Sequence, residues 1–171
     1  SKISYKYQAS PIFWSGEYKD ELQDLIQKIK YKKIKILGKY FANKLFLLWN
    51  KFLFDQKIDI IISVPIHKRR LHEREYNQAH IIAYNLSKLV KVHYIKNFLK
   101  KIKYTQSQTK LNREERLKNL KGSIVVAKKD LLKNINHILL IDDIYTTGAT
   151  SLECIRAIRA VKEDVKISVM V

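Results

Sequence analysis

The segment that most constrains the fold of this 171-residue chain is the run I-L-L-I at 138–141, followed directly by Asp142 and Asp143. Four consecutive apolar residues are typical of a strand that is buried on both faces, as in a parallel sheet. A short turn of small and hydroxyl residues comes next. Apolar residues then recur at helical spacing: Leu152, Ile155, Ala157, Ile158 and Val161. The segment therefore predicts a buried strand, an acidic pair, a turn and a helix.

The turn after the acidic pair has the composition of a phosphate site. Backbone N–H groups at a helix N-terminus have no intrahelical partner, and the helix dipole adds partial positive charge there. Gly148 and Ala149 allow the backbone to approach a phosphate closely. Hydroxyl donors are also present: Thr146, Thr147, Thr150 and Ser151. The acidic pair suits sugar hydroxyls or a Mg²⁺-bound sugar phosphate. A Walker A loop is excluded, because that motif requires a lysine that this turn lacks.

Apolar periodicity and turn residues predict the remaining elements. Helices are predicted at 17–30, 34–54, 73–90 and 150–162. Strands are predicted at 58–64, 92–99, 122–127, 136–141 and 165–171. Residues 1–16 are predicted to form a short strand or an extended flap, and 100–118 a long mobile loop. Strands that alternate with helices indicate an α/β fold with a mainly parallel sheet flanked by helices.

Composition indicates one domain over residues 1–171, with the N-terminal flap and helices up to about residue 56 and the core at 57–171. The hydrophobic content is 46%, which is enough for a core. Lysines interrupt the apolar helix at 34–54, so no membrane span is expected. The single cysteine, Cys154, and the absence of a secretory signal favour a reducing, cytoplasmic compartment. The five histidines and this cysteine form no recognisable zinc site.

The formal net charge of +18 is the difference between 34 basic and 16 acidic residues, and the basic residues are 27 lysines and only seven arginines. A basic surface of this size attracts polyanions such as nucleic acid. An AT-rich coding sequence would also produce abundant lysine, so both explanations stay open. Arginine is the more informative residue, because lysine replaces it poorly at a bidentate phosphate site. Five of the seven arginines fall in two short stretches: Arg69, Arg70, Arg74, Arg113 and Arg116.

The first of these stretches follows the strand predicted at 58–64. It is a cationic loop that leads into a helix, and its residues are Pro65, Ile66, His67, Lys68, Arg69 and Arg70. In a parallel sheet, ligands bind beyond the carboxyl ends of the strands, so this loop is expected near the acidic pair. Its cations suit a pyrophosphate, although a solvated basic turn is an open alternative.

The second stretch lies in the long polar segment at 100–118. Such segments are uncommon in compact domains unless they act as lids or binding loops. Closure over a substrate would bring Arg113 or Arg116 to a phosphate. A surface loop without a function is equally compatible with the composition.

Together the three stretches resemble the ComF family, whose members are similar to type I phosphoribosyltransferases. The matching patterns are V-P-x-x-x-x-R-x-x-x-R-x-x-N-Q-A from Val64, T-x-x-Q-x-x-L-x-x-x-x-R-x-x-N from Thr105, and I-D-D-I-Y-T-T-G-A-T from Ile141. The resemblance begins at about Tyr7 and continues to the C-terminus. It implies a type I phosphoribosyltransferase-like fold, with 5-phosphoribosyl-1-pyrophosphate (PRPP) and Mg²⁺ as ligands.

The resemblance also implies roles for particular residues. The PRPP loop would comprise Asp142, Asp143, Thr146, Thr147, Gly148, Ala149 and Thr150, with Mg²⁺ held near the two acids through PRPP. Residues 65–70 would form the pyrophosphate loop. The flexible loop would contribute Gln106, Arg113 and Arg116.

This chain departs from the family pattern in two places. Glu75 stands where the family usually has Gly, and Tyr76 where it usually has Phe. The first change is the more significant, because it introduces a Cβ and a charge where backbone freedom is usual. The N-terminal four-cysteine zinc module that is common in the family is absent from this sequence.

The resemblance implies a PRPP-binding protein of natural transformation that handles imported single-stranded DNA in the cytoplasm. Its expected partners are PRPP, single-stranded DNA bound weakly and without sequence preference, and other DNA-uptake proteins. One alternative is a metabolic phosphoribosyltransferase that joins a nucleobase or another amine to PRPP and releases pyrophosphate. Thr146 disfavours the 6-oxopurine subclass, which typically has Asp there. A third possibility is a regulatory module that senses PRPP without chemistry.

Overall fold

A computed structural model describes residues 12–13, 36–105, 113–144 and 147–171. The helix predicted at 17–30 and most of the flap predicted at 1–16 lie outside these residues. The strands are β1 (Ile12–Phe13), β2 (Ile60–Ser63), β3 (His93–Tyr94), β4 (Leu99–Lys101), β5 (Ile124–Val126), β6 (His137–Ile141) and β7 (Lys166–Met170). The helices are α1 (Ile36–Phe52), α2 (Lys68–Arg74), α3 (Gln78–Val90), α4 (Arg113–Leu120) and α5 (Ala149–Arg159), with a 3₁₀ helix at Lys129–Asn134.

Five strands form the main sheet in the order β1–β7–β6–β2–β3, and every neighbouring pair is parallel. The predicted α/β class with a mainly parallel sheet is confirmed, and the arrangement is consistent with a type I phosphoribosyltransferase-like fold. Strand β6 lies at the centre, and all five of its residues are buried. Its uninterrupted apolar run is explained by this position, since both faces of a central parallel strand are covered.

Each face of the sheet packs against its own hydrophobic layer. Ile138 and Leu140 of β6 join one core cluster with Ile155 and Ile158 of α5. The alternate residues of β6 join a second cluster with α1 and α3. Because side chains alternate across a strand, the four-residue apolar run fills both layers. The result is a three-layer arrangement with the sheet between two sets of helices.

The helix predicted at 73–90 is wrong in one respect, because the structure has two helices there. Helix α2 ends at Arg74, and α3 begins at Gln78. Glu75 between them adopts φ 65°, in the left-handed region. A non-glycine residue is uncommon in this region, and a glycine adopts it readily. The place where the family pattern usually has Gly is therefore a sharp turn between two helices.

The predictions for 92–127 are also partly wrong. The strand predicted at 92–99 divides into β3 in the main sheet and β4, which pairs antiparallel with β5 in a separate two-stranded sheet. Residues 113–120 are helical and not part of a continuous loop. The pattern was ambiguous because β4 has only three residues, two of which are consecutive lysines, and short strands carry little periodicity.

Helix α1 lies close to α3 at Gly38. A Cβ at this position would overlap Cγ2 of Ile81. We therefore expect Gly38→Ala to lower the free energy of unfolding by about 1–3 kcal/mol through overpacking, although alanine favours helices over glycine by about 1 kcal/mol. Urea unfolding monitored by circular dichroism would measure this. Asn43→Ala, at an exposed position of the same helix, should leave stability nearly unchanged; equal stability of both variants would contradict the close approach.

The left-handed turn at Glu75 gives a second prediction. Replacement of Glu75 by Gly should raise the free energy of unfolding by up to about 1 kcal/mol, because it removes the steric cost of a Cβ at φ 65°. Glu73→Gly, two residues earlier inside α2, should lower it by roughly 0.5–1 kcal/mol. Opposite signs in the same unfolding assay support the assignment, and a loss of stability in both variants would contradict it.

Candidate functional site

The loops after β2 and β6 lie side by side at the carboxyl edge of the sheet. Ser63 pairs with Ile141 in the parallel ladder, and the N–H of Val64 donates to the carbonyl of Ile141 at 2.9 Å. The residues that follow are therefore neighbours, with Pro65 on one strand's end and Asp142 on the other. This is the edge at which open α/β sheets bind ligands.

Asp142 is the most unusual ionisable group of this edge. Its side chain is only 8% exposed. One carboxylate oxygen, Oδ1, accepts from the N–H of Asp143 at 2.8 Å, and Oδ2 accepts from the hydroxyl of Ser151 at 3.1 Å. Burial, and then the neighbouring charge of Asp143, raise the pKa of Asp142 to about 8. These two hydrogen bonds only partly offset the cost of burying the charge, so a cation or a hydroxyl donor would be favoured here.

The turn into α5 places a helix N-terminus next to the acidic pair. Gly148 is the N-cap, and its φ of 70° is in the left-handed region that glycine adopts without strain. The N–H of Ala149 donates to the hydroxyl of Thr147 at 3.4 Å, and Thr150 lies in the first turn. The predicted site residue Thr146 lies outside the described residues. The others form a compact turn with backbone N–H groups and hydroxyls, the chemistry that phosphate groups bind.

The cationic residues after β2 lie on a helix and not on an irregular loop. His67 is the N-cap of α2, and its Nδ1 accepts from the N–H of Arg69 at 3.2 Å. Lys68, Arg69 and Arg70 form the first turn of this helix. Pro65 and Ile66 connect α2 to the end of β2. The first turn of α2 therefore presents three cations near the carboxyl edge of the sheet.

Two of these cations also contact the segment after β4. The Arg69 guanidinium lies 4.9 Å from the centre of the Tyr104 ring. Arg70 donates from Nη2 to the carbonyl of Thr105 at 3.3 Å. Residues 104–105 lie within the predicted loop at 100–118, where the family pattern that starts at Thr105 begins. The pyrophosphate loop and the start of the flexible loop are therefore in direct contact.

Asn77 fixes the position of the loop after β2. Its Nδ2 donates to the carbonyl of Val64 at 2.8 Å, so the turn between α2 and α3 is tied to the end of β2. Gln78, the next residue, is only 2% exposed. This contact gives a physical reason for the asparagine of the N-Q-A pattern, because a buried carbonyl that leaves the sheet needs a donor.

Lys101 is a further candidate site residue, which the sequence patterns did not indicate. It pairs with His67 in an isolated parallel bridge and is half-buried. Burial lowers the pKa of Lys101, and the positive charge of Arg70 lowers it further, whereas Cys154 acts in the opposite direction. Cys154 is itself fully buried and is under the electrostatic influence of Asp142. The Lys101 ammonium therefore lies within electrostatic range of Arg70, which belongs to the candidate pyrophosphate loop.

Only the strand pattern could have identified Lys101. Leu99, Lys100 and Lys101 are buried, exposed and half-buried in turn, as strand alternation requires. In a chain with 27 lysines, one more lysine in an unassigned segment carried no signal.

The predicted flexible loop is only partly described. Gln106 lies outside the described residues. Arg113 and Arg116 belong to α4. The side chains of these three residues lie outside what the structure describes, and their role as a lid stays a prediction.

The donor set at the acidic pair fits Mg²⁺ that accompanies a sugar diphosphate. Mg²⁺ prefers oxygen ligands and commonly binds one or two carboxylates together with substrate phosphates. Asp142 and Asp143 supply such oxygens, and the burial of Asp142 favours a compensating cation. No group of three or more His, Cys, Asp or Glu that could hold a metal by itself occurs among the described residues.

Within the part of the chain that the structure describes, no helix is long and apolar enough to cross a membrane.

The raised pKa of Asp142 predicts a pH dependence of stability. The folded protein retains this proton up to about pH 8, whereas the unfolded chain releases it near pH 4. The unfolding free energy of the ligand-free protein should therefore fall as pH rises through this interval. Asn cannot titrate, so Asp142→Asn lacks this pH-dependent loss of unfolding free energy. The stability of the variant relative to the wild type should therefore increase as pH rises from 4 to 9.

Urea unfolding of both proteins at several pH values would test this prediction. Subtracting the two curves cancels the other titrating groups, including His80 and His137. Asp164→Asn, at an exposed position, is the matched control and should show no such gain. Parallel curves for the wild type and Asp142→Asn would contradict the prediction.

Comparison with known proteins gives relatives but no matching family profile. The chain is 30% identical over 149 residues to competence protein F of Haemophilus influenzae, an alignment that covers 84% of the chain and 64% of that protein. It is 28% identical over 138 residues to competence protein ComFC of Bacillus subtilis, covering 78% and 51%. It is 30% identical over 95 residues to the DNA utilization protein YhgH of Escherichia coli O157:H7, covering 56% and 40%.

The chain thus spans between 40% and 64% of the length of these three relatives. Identity of 30% over 84% of the chain agrees with the three sequence patterns and with the parallel α/β fold. The chain therefore belongs to the ComF family of competence proteins.

Proposed function

We propose that this chain binds PRPP with Mg²⁺ and acts in the uptake of DNA during natural transformation. The PRPP part is supported above all by the buried carboxyl group of Asp142 at the carboxyl edge of the sheet. The adjacent strand β2 ends at the same edge and leads into the cationic first turn of α2. PRPP has the complementary layout, since sugar hydroxyls lie between a 5′-phosphate and a pyrophosphate. The acidic pair would accept hydrogen bonds from the ribose hydroxyls.

The two phosphate ends of PRPP would lie on opposite sides of the acids. The turn of Thr147, Gly148 and Ala149 would receive the 5′-phosphate on backbone N–H groups and hydroxyls. The first turn of α2 would receive the pyrophosphate, with Lys101 adding charge from β4. Charge-assisted hydrogen bonds of this kind are about twice as strong as neutral ones.

Replacing both acids should test the PRPP site. Asp142→Asn with Asp143→Asn keeps size and removes charge, so we expect PRPP affinity in the presence of Mg²⁺ to fall roughly tenfold to a hundredfold, from the loss of charged hydrogen bonds. Isothermal titration calorimetry would measure this. The control is Glu163→Gln with Asp164→Asn, an adjacent and exposed acidic pair near the amino end of β7, whose affinity should match the wild type. Unchanged affinity in the first variant would refute the assignment.

The DNA part of the proposal comes from the relatives and from charge. Two relatives are named competence proteins, and a third is named a DNA utilization protein. The net charge of +18 supports weak binding of single-stranded DNA without sequence preference. Other proteins of DNA uptake are the expected partners, and the cytoplasm is the compartment that this role implies.

A transferase reaction is the second candidate function. The cations of α2 together with Lys101 could stabilise a departing pyrophosphate, because they offer positive charge where negative charge develops. The discriminating assay is incubation with PRPP, Mg²⁺ and a panel of nucleobases and amines, followed by pyrophosphate detection. Release that depends on one acceptor supports transfer, and binding without release supports a PRPP sensor.

A further inference from the structure

A second concave surface lies outside the candidate PRPP site, between α3 and the edge strand β3. Its volume is about 520 Å³, within the range of natural ligand sites. Six of its lining residues carry aromatic rings or positive charge: His80, Tyr84, Lys88, His93, Tyr94 and Lys96. We name this surface the α3–β3 groove.

Three rings converge in the α3–β3 groove. His80 and Tyr94 have ring centres 5.3 Å apart, Tyr84 lies 6.2 Å from His80, and the two tyrosine rings are 6.4 Å apart. Tyr84 is 45% exposed, so part of its ring is accessible to a ligand. His80 and Tyr84 are four residues apart on α3, which places them on one helix face.

The ring cluster is held by hydrogen bonds. The Tyr94 hydroxyl lies 2.7 Å from Nδ1 of His80 and 3.0 Å from the hydroxyl of Ser63. Burial lowers the pKa of His80, and the charge of Lys96 lowers it further. A fixed and mainly neutral ring pair next to an exposed tyrosine gives a preorganised stacking surface at neutral pH.

The charges of the groove are of one sign. Lys88 and Lys96 are exposed at its rim, and the Lys88 ammonium lies 4.3 Å from the centre of the Tyr84 ring. The residues that line the groove include no aspartate or glutamate. Such a surface favours an anionic ligand that also has flat rings.

We propose that the α3–β3 groove binds a segment of single-stranded nucleic acid, with a base stacked on Tyr84 and backbone phosphates near Lys88 and Lys96. Bases must be unpaired to stack on side chains, so a single strand fits this chemistry and a duplex does not. This inference rests on the DNA part of the proposed function and assigns a surface to it. An acidic protein segment would form ion pairs with the lysines, but it would not use the converging aromatic rings for stacking.

The first experiment measures the binding of a fluorescent oligothymidine by anisotropy at low salt. Tyr84→Ala should weaken binding roughly fivefold to a hundredfold, which is the effect expected for the loss of one stacked base. Tyr40→Ala is a closely matched control. Tyr40 is also 45% exposed, and Lys44, four residues on, lies 5.5 Å from its ring, but it belongs to α1. The control should bind as the wild type does.

The second experiment measures how binding depends on salt. Lys88→Gln with Lys96→Gln should reduce the slope of log affinity against log salt concentration by about 1.4, since each phosphate contact on a single strand contributes roughly 0.7. Lys129→Gln with Lys133→Gln, on the exposed 3₁₀ helix, makes the same charge change elsewhere and should leave the slope unchanged.

The outcomes separate this inference from the proposed function. Weakening in the groove variants alone supports the groove as the DNA site. Binding that all variants retain equally, or lose equally, assigns DNA to a diffuse surface and overturns the inference while the DNA role stands. No binding by the wild-type chain at low salt overturns both. A 5-bromouracil oligonucleotide that cross-links to Tyr84 or His80 under ultraviolet light would show direct contact, and cross-links confined to other segments would contradict it.

Discussion

The buried carboxylate of Asp142 is the interaction on which the arrangement of this molecule depends. A chain loses stability by burying an acid next to a second acid, and here the cost is visible in a pKa raised to about 8. The position of Asp142 follows from β6, because a fully buried central strand ends there and delivers the side chain into the sheet edge. A free-energy cost of this kind, concentrated at the edge of a sheet, is typical of binding sites. There a bound ligand can supply the cation or hydrogen-bond donor that the buried carboxylate lacks.

The parallel register brings the opposite charge to the same edge. The amino end of the pair β2–β6 is held by Asp59, whose Oδ2 accepts from the N–H groups of Asn136 and His137 at 2.7 and 2.9 Å. At the other end, the ladder from Ile60 to Ser63 delivers the α2 cations next to the acids. The pairing register of β2 with β6 therefore determines which loops lie together at the sheet edge. A shift of this register by one residue would turn the side chains of β2 to the opposite faces of the sheet.

The sequence predicted the strand, the acidic pair and the helix around Asp142, but it predicted much less of the segments that pack near them. The apolar run at 138–141, the acids and the small-residue turn each have one dominant physical interpretation, and the structure agrees with the strand and helix they imply. The turn at Glu75 could not be predicted from propensity, because glutamate favours helices, whereas Glu75 adopts the left-handed conformation at the end of α2. Lys101 was missed because its importance comes from burial next to Arg70, a contact between distant segments.

A chain of hydrogen bonds connects the candidate PRPP site with the α3–β3 groove. Ser63 is the last residue of β2, and its hydroxyl bonds the Tyr94 hydroxyl, which in turn bonds His80 of α3. Val64, the next residue, accepts from Asn77 at the start of the same helix. The loop that would hold pyrophosphate and the helix that lines the groove therefore share two fixed points. Helix α3 with its N-terminal turn therefore contacts both the end of β2, where the candidate pyrophosphate loop begins, and the rings of the α3–β3 groove.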